Sequence, residues 1–120
     1  MLGEIGTPLQ QTLKAAIGCR GVGLHSGQRV AMNLVPAPPE TGIVFRRTDT
    51  GTEIQALWEY TVESARCTML SNGEGTTVGT VEHLMAALAG AAVDNVIVEL
   101  DGPEVPIMDG SAAPFARVAL

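Results

Sequence analysis

Residues 80–100 read TVEHLMAALAGAAVDNVIVEL, a helical period followed by a β-branched run, and this stretch decides the fold class. Thr80 is a favourable N-cap for a helix running through about Ala92, and Asp94-Asn95 supplies the stop. Val96 to Leu100 is apolar and β-branched, so it is predicted to be a buried strand. One stripe of the helix must face a sheet. Its members are Val81, Leu84, Met85, Leu88 and Ala92.

The chain before this helix has the pattern of short strands. Arg29 to Val35 alternates polar or small residues with apolar ones, which predicts a half-buried strand. Gly42 to Arg47, Ile54 to Trp58 and Cys67 to Leu70 are further β-like runs separated by turn-prone residues. The order of strands and helices along the chain predicts an α+β fold, a two-layer domain of helices packed on a mainly antiparallel sheet with a small strand insert.

The two ends of the chain give weaker patterns. Residues 1–11 have glycine and proline without any period and are expected to be a loose leader, so the domain is expected to cover residues 12–120. Ser111 is predicted to cap a second helix beginning at Ala112. That helix is expected to be cut short at Leu120.

Composition excludes several classes of function. A length of 120 residues allows one modest core, and 46% hydrophobic residues argue against disorder. The formal charge of −6 argues against nucleic acid as a partner. Cys19 and Cys67 form no CxxC motif, and the chain has neither a transmembrane run nor the basic start of a signal peptide. A cytoplasmic protein is therefore expected.

The second face of the predicted helix holds Glu82 and His83 among small residues, so a ligand or another protein layer is expected to cover it. A helix N-terminus favours neutral imidazole, the metal-binding form, and Glu82 beside it could act as a base in metal-assisted hydrolysis. A purely structural role for Glu82 is the competing interpretation, because the helix dipole by itself favours glutamate in a first turn. One histidine also cannot supply the three protein ligands of a catalytic zinc.

Four motifs in order resemble the UDP-3-O-acyl-N-acetylglucosamine deacetylases, zinc-dependent enzymes of lipid A biosynthesis, from about Thr12 to the last residue. The motifs are Gly21–Gly27 (GVGLHSG), Pro36–Asp49 (PAPPETGIVFRRTD, in part), Thr80–Gly90 (TVEHLMAALAG) and Pro106–Phe115 (PIMDGSAAPF). The resemblance implies that His83 is the first of three Zn²⁺ ligands and that Glu82 is the general base. It also implies that Cys67 and Thr68 line the mouth of the site, although an ordinary strand is the competing interpretation.

The resemblance further implies half of a two-domain enzyme, with the other two zinc ligands and a general-acid histidine in a C-terminal domain missing from this sequence. The whole enzyme would remove the N-acetyl group from UDP-3-O-acyl-N-acetylglucosamine, and this part alone would be inactive. The alternative is an inactive, stand-alone binding or interaction module of the same fold.

Three motifs have simpler interpretations. Gly21–His25 lacks a phosphate-loop pattern and is predicted to be a turn between strands, leaving Leu24 and His25 as candidate substrate-binding residues at the edge of the site or as structural residues. Arg46 and Arg47 point to opposite faces of a strand, so at most one could bind a diphosphate. Solvated side chains without a ligand are the favoured interpretation. Asp109–Ser111 is best explained as a turn plus a helix cap.

Overall fold

Ten strands and one α-helix make up the computed structural model, which describes residues 9–63, 67–106 and 117–119. The first strands are β1 (Gln11–Leu13), β2 (Ile17–Val22), β3 (Arg29–Pro36), β4 (Ile43–Arg47) and β5 (Thr52–Gln55). A short 3-10 helix (Trp58–Tyr60) leads to β6 (Thr61–Glu63), β7 (Thr68–Ser71) and β8 (Thr77–Gly79). Helix α1 (Glu82–Gly90), β9 (Val96–Leu100) and β10 (Arg117–Ala119) follow.

The strands form three sheets, of which the largest is mixed. Its order is β2-β3-β9-β4-β5, with β9 antiparallel to β3 and parallel to β4. Strands β6, β7 and β8 form a separate antiparallel sheet, and β1 pairs with β10. The predicted α+β class is confirmed in this coarse form. The β4–β9 pair departs from the expected antiparallel pairing because the chain crosses over through the three-stranded sheet and α1 before β9 inserts beside β4.

The core lies on one face of the five-stranded sheet, as the alternating patterns predict. Val30, Met32 and Leu34 of β3 are buried, and the same alternation buries the even-numbered positions of β9. Leu84 and Leu88 of α1 have no exposed surface and join the same hydrophobic cluster. The predictions of β3 and β9 as strands are both confirmed, because alternate side chains of each strand are buried in the core.

The predicted start of the helix is wrong. Thr80 is not the N-cap, because α1 begins at Glu82 with Val81 in the N-cap position and no side-chain cap. The φ angle of Thr80 is 60°, in the left-handed region, and its hydroxyl donates to Glu104 rather than to the helix. The helix ends at Gly90 rather than near Ala92, because Ala92 has a φ of 56°.

Two further boundaries differ from the predictions. The predicted strand Ile54 to Trp58 lies instead at Thr52–Gln55, because the turn after β4 pairs Arg47 with Thr52 and starts β5 earlier. Arg117–Ala119 form a strand paired with β1, so the predicted terminal helix does not continue through them. Its expected start at Ser111 lies outside the described residues, as do residues 1–8 of the expected leader.

Helix α1 has nine residues, and the described part of the chain contains no helix long and apolar enough to span a bilayer.

Candidate active site

The first turn of α1 gives Glu82 and His83 different surroundings. Consecutive helical residues are rotated by about 100° from one another. Glu82 turns toward the three-stranded sheet and is half-buried, whereas His83 is exposed. The apolar stripe of α1 fixes this rotation, because Val81, Leu84 and Leu88 are buried in the core.

One carboxylate oxygen of Glu82 is held and the other has no partner. The backbone N–H of Thr68, at the start of β7, donates to Oε2 over 2.9 Å. Oε1 is buried and accepts no hydrogen bond from the described residues. Buried polar atoms are nearly always satisfied, so an oxygen of this kind is unusual and often belongs to a functional group.

The Glu82 carboxyl stays ionised at neutral pH. Partial burial raises its pKa, but the hydrogen bonds from Thr68 and from the N–H of Glu82 itself outweigh burial and place the pKa below its ordinary value. A carboxylate oriented through one oxygen, with the second oxygen not engaged in a hydrogen bond, can accept a proton from a group that comes within reach of that oxygen.

His83 is the residue at this site whose side chain is of a metal-ligating type, and it is exposed. Within residues 9–63, 67–106 and 117–119, no group of three His, Cys, Asp or Glu side chains lies close enough to hold a metal ion. The described residues therefore do not bring together the three protein ligands that catalytic zinc takes.

The structure brings Thr68 to the predicted site. Its N–H is the contact that orients Glu82, and Cys67 precedes it, half-buried, just before β7. The expectation that these two residues line the mouth of the site stays a prediction.

Leu24 and His25 lie in the tight turn between β2 and β3. Gly23 N–H donates to Gln28 O over 2.9 Å, so the predicted turn between strands is confirmed from Gly23 onward, whereas Gly21 and Val22 belong to β2. The side chains of both residues are exposed, and the N–H of His25 donates to both carboxylate oxygens of Glu104 over 3.1 Å. A substrate-binding role for Leu24 and His25 stays a prediction.

Glu104 is the residue that the sequence reasoning missed. It is 4% exposed and accepts hydrogen bonds from the N–H groups of His25 and Ser26 and from the hydroxyl of Thr80. These donors hold the pKa of its carboxyl below the ordinary value, although burial by itself would raise it. The available signal was a single charge in the otherwise uncharged stretch Gly102–Pro106.

The two arginines of β4 point to opposite faces, as predicted. Arg46 pairs with Glu53 at 2.6 Å and with Glu99 at 3.4 Å. Arg47 pairs with Asp49 at 2.5 Å and also donates to the carbonyl of Thr77. Both guanidinium groups are thus engaged by acids. Asp109–Ser111 lies outside the described residues.

Comparison with known proteins points to one family. The sequence model of the family described as UDP-3-O-acyl N-acetylglycosamine deacetylase matches residues 10–119. A protein named UDP-3-O-acyl-N-acetylglucosamine deacetylase from Myxococcus xanthus is 62% identical over 111 residues, 91% of this chain and 35% of the relative. Proteins of the same name from Chromobacterium violaceum and Aliivibrio fischeri are 53% and 51% identical over 89% and 88% of the chain. The chain spans 35% to 36% of the length of these three relatives.

Proposed function

The chain belongs to the UDP-3-O-acyl N-acetylglycosamine deacetylase family, and we propose on that premise that the complete protein removes the N-acetyl group from UDP-3-O-acyl-N-acetylglucosamine in lipid A biosynthesis. One observation supports this assignment most directly. The Glu82 carboxylate has one oxygen held by Thr68 and a second, buried oxygen that accepts no hydrogen bond from the described residues. Metal-assisted amide hydrolysis uses a base of this kind beside the Lewis acid.

His83 is the residue of this chain that would hold zinc. Its exposure on α1 and its position next to Glu82 suit a ligand that shares a metal with groups outside the chain. When bound, zinc supplies Lewis acidity toward the amide carbonyl and the attacking water. The remaining ligands, a His and an Asp, belong to the part of the protein beyond this chain, as the family resemblance implies.

Glu82 takes the proton in the proposed reaction. The oxygen of water bonds to the acetyl carbon while a proton of that water passes to Oε1, the oxygen that Thr68 does not occupy. The C–N bond then breaks, acetate leaves, and the nitrogen takes up a proton to become the sugar amine. By the family resemblance, a histidine outside this chain donates that proton. The Thr68 contact keeps the base oriented through both steps.

The exposed side of α1 is the proposed contact with a second, similar domain. Ala86, Ala89 and Gly90 are exposed there, and a methyl group added at Gly90 would meet nothing within 4 Å. Small residues allow two helices to approach closely. We expect the complete enzyme to act in the cytoplasm, with its substrate bound between the two domains.

The test uses the complete protein and two substitutions with different expected results. Glu82→Gln keeps the size of the side chain but cannot accept the proton, so acetate release should fall by roughly 10²- to 10⁴-fold while zinc stays bound. His83→Ala removes a ligand, so zinc content and activity should fall together.

Two matched controls accompany them. Glu59→Gln makes the same change at an exposed residue of the 3-10 helix and should leave activity unchanged. His25→Ala should leave zinc content unchanged. A wild-type protein that binds no zinc and releases no acetate would refute the proposal and favour an inactive binding module. Loss of zinc from the Glu82→Gln variant would make Glu82 a ligand or a support for one, rather than the base.

A further inference from the structure

Glu104 is a buried, ionised carboxylate to which the proposed mechanism gives no role. Its side chain is held by hydrogen-bond donors, and no lysine or arginine of the described residues forms an ion pair with it. The donors come from two segments far apart in sequence. His25 and Ser26 supply backbone N–H groups at 3.1 Å and 2.9 Å, and Thr80 supplies its hydroxyl. Burying a charge without such donors is costly, so the two segments are fixed by the carboxylate they share.

Each of these segments leads directly to residues of the candidate site. His25 and Leu24 form the turn between β2 and β3, and Thr80 lies two positions before Glu82. The backbone reinforces the arrangement on both sides of Glu104. Gly79 N–H donates to Pro103 O over 2.8 Å, and Val105 N–H donates to Gly79 O over 3.0 Å. Glu104 therefore lies between the two turns.

Thr80 depends on this contact because its backbone is in an unfavourable conformation. A φ of 60° places it in the left-handed region, where a β-branched residue is rarely found. Helix α1 has no side-chain N-cap to fix its first turn. The hydroxyl of Thr80, bonded to Glu104, therefore supplies the tertiary contact that holds the chain just before Glu82.

The turn between β2 and β3 is shaped to admit the same carboxylate. A β-carbon built on Gly23 would overlap Oε1 of Glu104 and the hydroxyl of Ser26. Only glycine leaves the room that the carboxylate needs to reach the N–H groups of this turn. Two independent features, the glycine and the strained threonine, thus converge on Glu104.

We propose that Glu104 is a positioning residue, whose carboxylate joins the β2–β3 turn to the β8–α1 turn and thereby fixes the orientation of Glu82 and His83. The catalytic part of this inference rests on the proposed deacetylase function. Residues that orient catalytic groups or metal ligands typically contribute about 10- to 100-fold in activity or metal affinity. Loss of the contact should therefore lower kcat more than it changes KM, because the groups acting on the transition state are displaced.

The experiment compares the same substitution at two threonines of the complete protein whose hydroxyls make tertiary hydrogen bonds. Thr80→Val removes the hydroxyl that reaches Glu104. Thr12→Val removes a hydroxyl that donates to Asn95 O and accepts from Ala37 N–H, away from the α1 start. Thr80→Val and Glu104→Gln should each lower kcat by about 10- to 100-fold with KM within about threefold of wild type. Thr12→Val should keep wild-type kcat at temperatures where it is folded, and Thr80→Ser, which retains the hydroxyl, should restore most of the rate.

Amide hydrogen exchange gives a measurement that does not depend on activity. The hydrogen-bonded N–H groups at the start of α1, those of Val81 and Met85, should exchange faster in Thr80→Val and Glu104→Gln than in wild type, and at the wild-type rate in Thr12→Val. Unchanged exchange in the Thr80→Val and Glu104→Gln variants, or an equal fall in kcat for both Thr→Val variants, would overturn the inference. An inactive wild-type protein would refute the proposed function alone, because the exchange rates would still decide whether Glu104 positions the start of α1.

Discussion

Ala92 should make the protein more stable when it is replaced by glycine. It follows the C-terminus of α1 with a φ of 56°, a conformation that favours glycine over alanine. The N–H of Ala92 donates to Ala89 O, and that of Val93 donates to Leu88 O, both over 3.0 Å. This is the hydrogen-bond pattern of a helix end that usually has glycine at this position. Val93 and Leu88 are both buried, so the backbone there cannot relax easily.

The expected magnitude comes from two opposing terms. Glycine at position 92 removes about 1 to 2 kcal/mol of left-handed strain, while the greater freedom of the unfolded chain costs about 0.5 to 1 kcal/mol. The net change in the free energy of unfolding is therefore a gain of about 0 to 1.5 kcal/mol. Ala86→Gly is the matched control, since it makes the same change at an exposed residue inside α1. It should cost about 1 kcal/mol.

Urea denaturation of the complete protein, followed by circular dichroism, measures both variants. The unfolded-state term is the same for the two substitutions, so the difference between them, about 1 to 2.5 kcal/mol, isolates the backbone conformation at residue 92. If Ala92→Gly lowered the midpoint as much as Ala86→Gly does, residue 92 would not hold the left-handed conformation and the reasoning would fail.

Three other predictions concern acid stability and the two faces of the sheet. The pKa of Glu104 is below its ordinary value, so the carboxylate contributes its full stabilisation above about pH 4.5 and loses it as the pH falls through the lowered pKa. In the Glu104→Gln variant, acid titration should therefore show a smaller decrease in the free energy of unfolding below that pH than in wild type. Val98→Thr places a hydroxyl at a position with no exposed surface and should cost about 2 kcal/mol in urea denaturation, whereas Val22→Thr, at 43% exposure, should change stability by less than about 0.5 kcal/mol. Arg47→Met should cost about 1 to 2 kcal/mol by the same assay, because its mostly buried guanidinium joins β4 to β8. Arg46→Met should cost clearly less, because its ion pairs are exposed, and equal costs would contradict the assigned faces.

The sequence predicted those elements whose pattern reflects burial. Strand β3 alternates because one of its faces lies in the core, and Val96–Leu100 is apolar because β9 lies in the middle of the largest sheet. The parallel pairing of β4 with β9 has no local signature. It depends on how the chain returns across the sheet after α1, which no pattern within either strand records.

The start of α1 shows how a tertiary contact overrides a local preference. Threonine before a helical pattern is an ordinary N-cap signal, yet the Thr80 hydroxyl bonds to Glu104, and the residue adopts a left-handed conformation. Glu104 is 24 residues away in sequence. Glu82 and His83 were assigned through the motif that contains them, whereas the role of Glu104 depends on three-dimensional proximity and became visible only in the structure.

The order of Glu82 and His83 along α1 connects the fold to the proposed chemistry. Because consecutive positions diverge by about 100°, only one of the two side chains can reach Thr68 while the apolar stripe stays in the core. The inner position suits a carboxylate, because one of its oxygens accepts the hydrogen bond from the Thr68 N–H and the other remains to accept a proton. An imidazole there would have one acceptor nitrogen and would use it on Thr68. The outer position can be reached by groups from another domain. A residue that binds a metal ion together with ligands from another domain needs this access. The same rotation therefore favours Glu82 as the base and His83 as the ligand, and not the reverse.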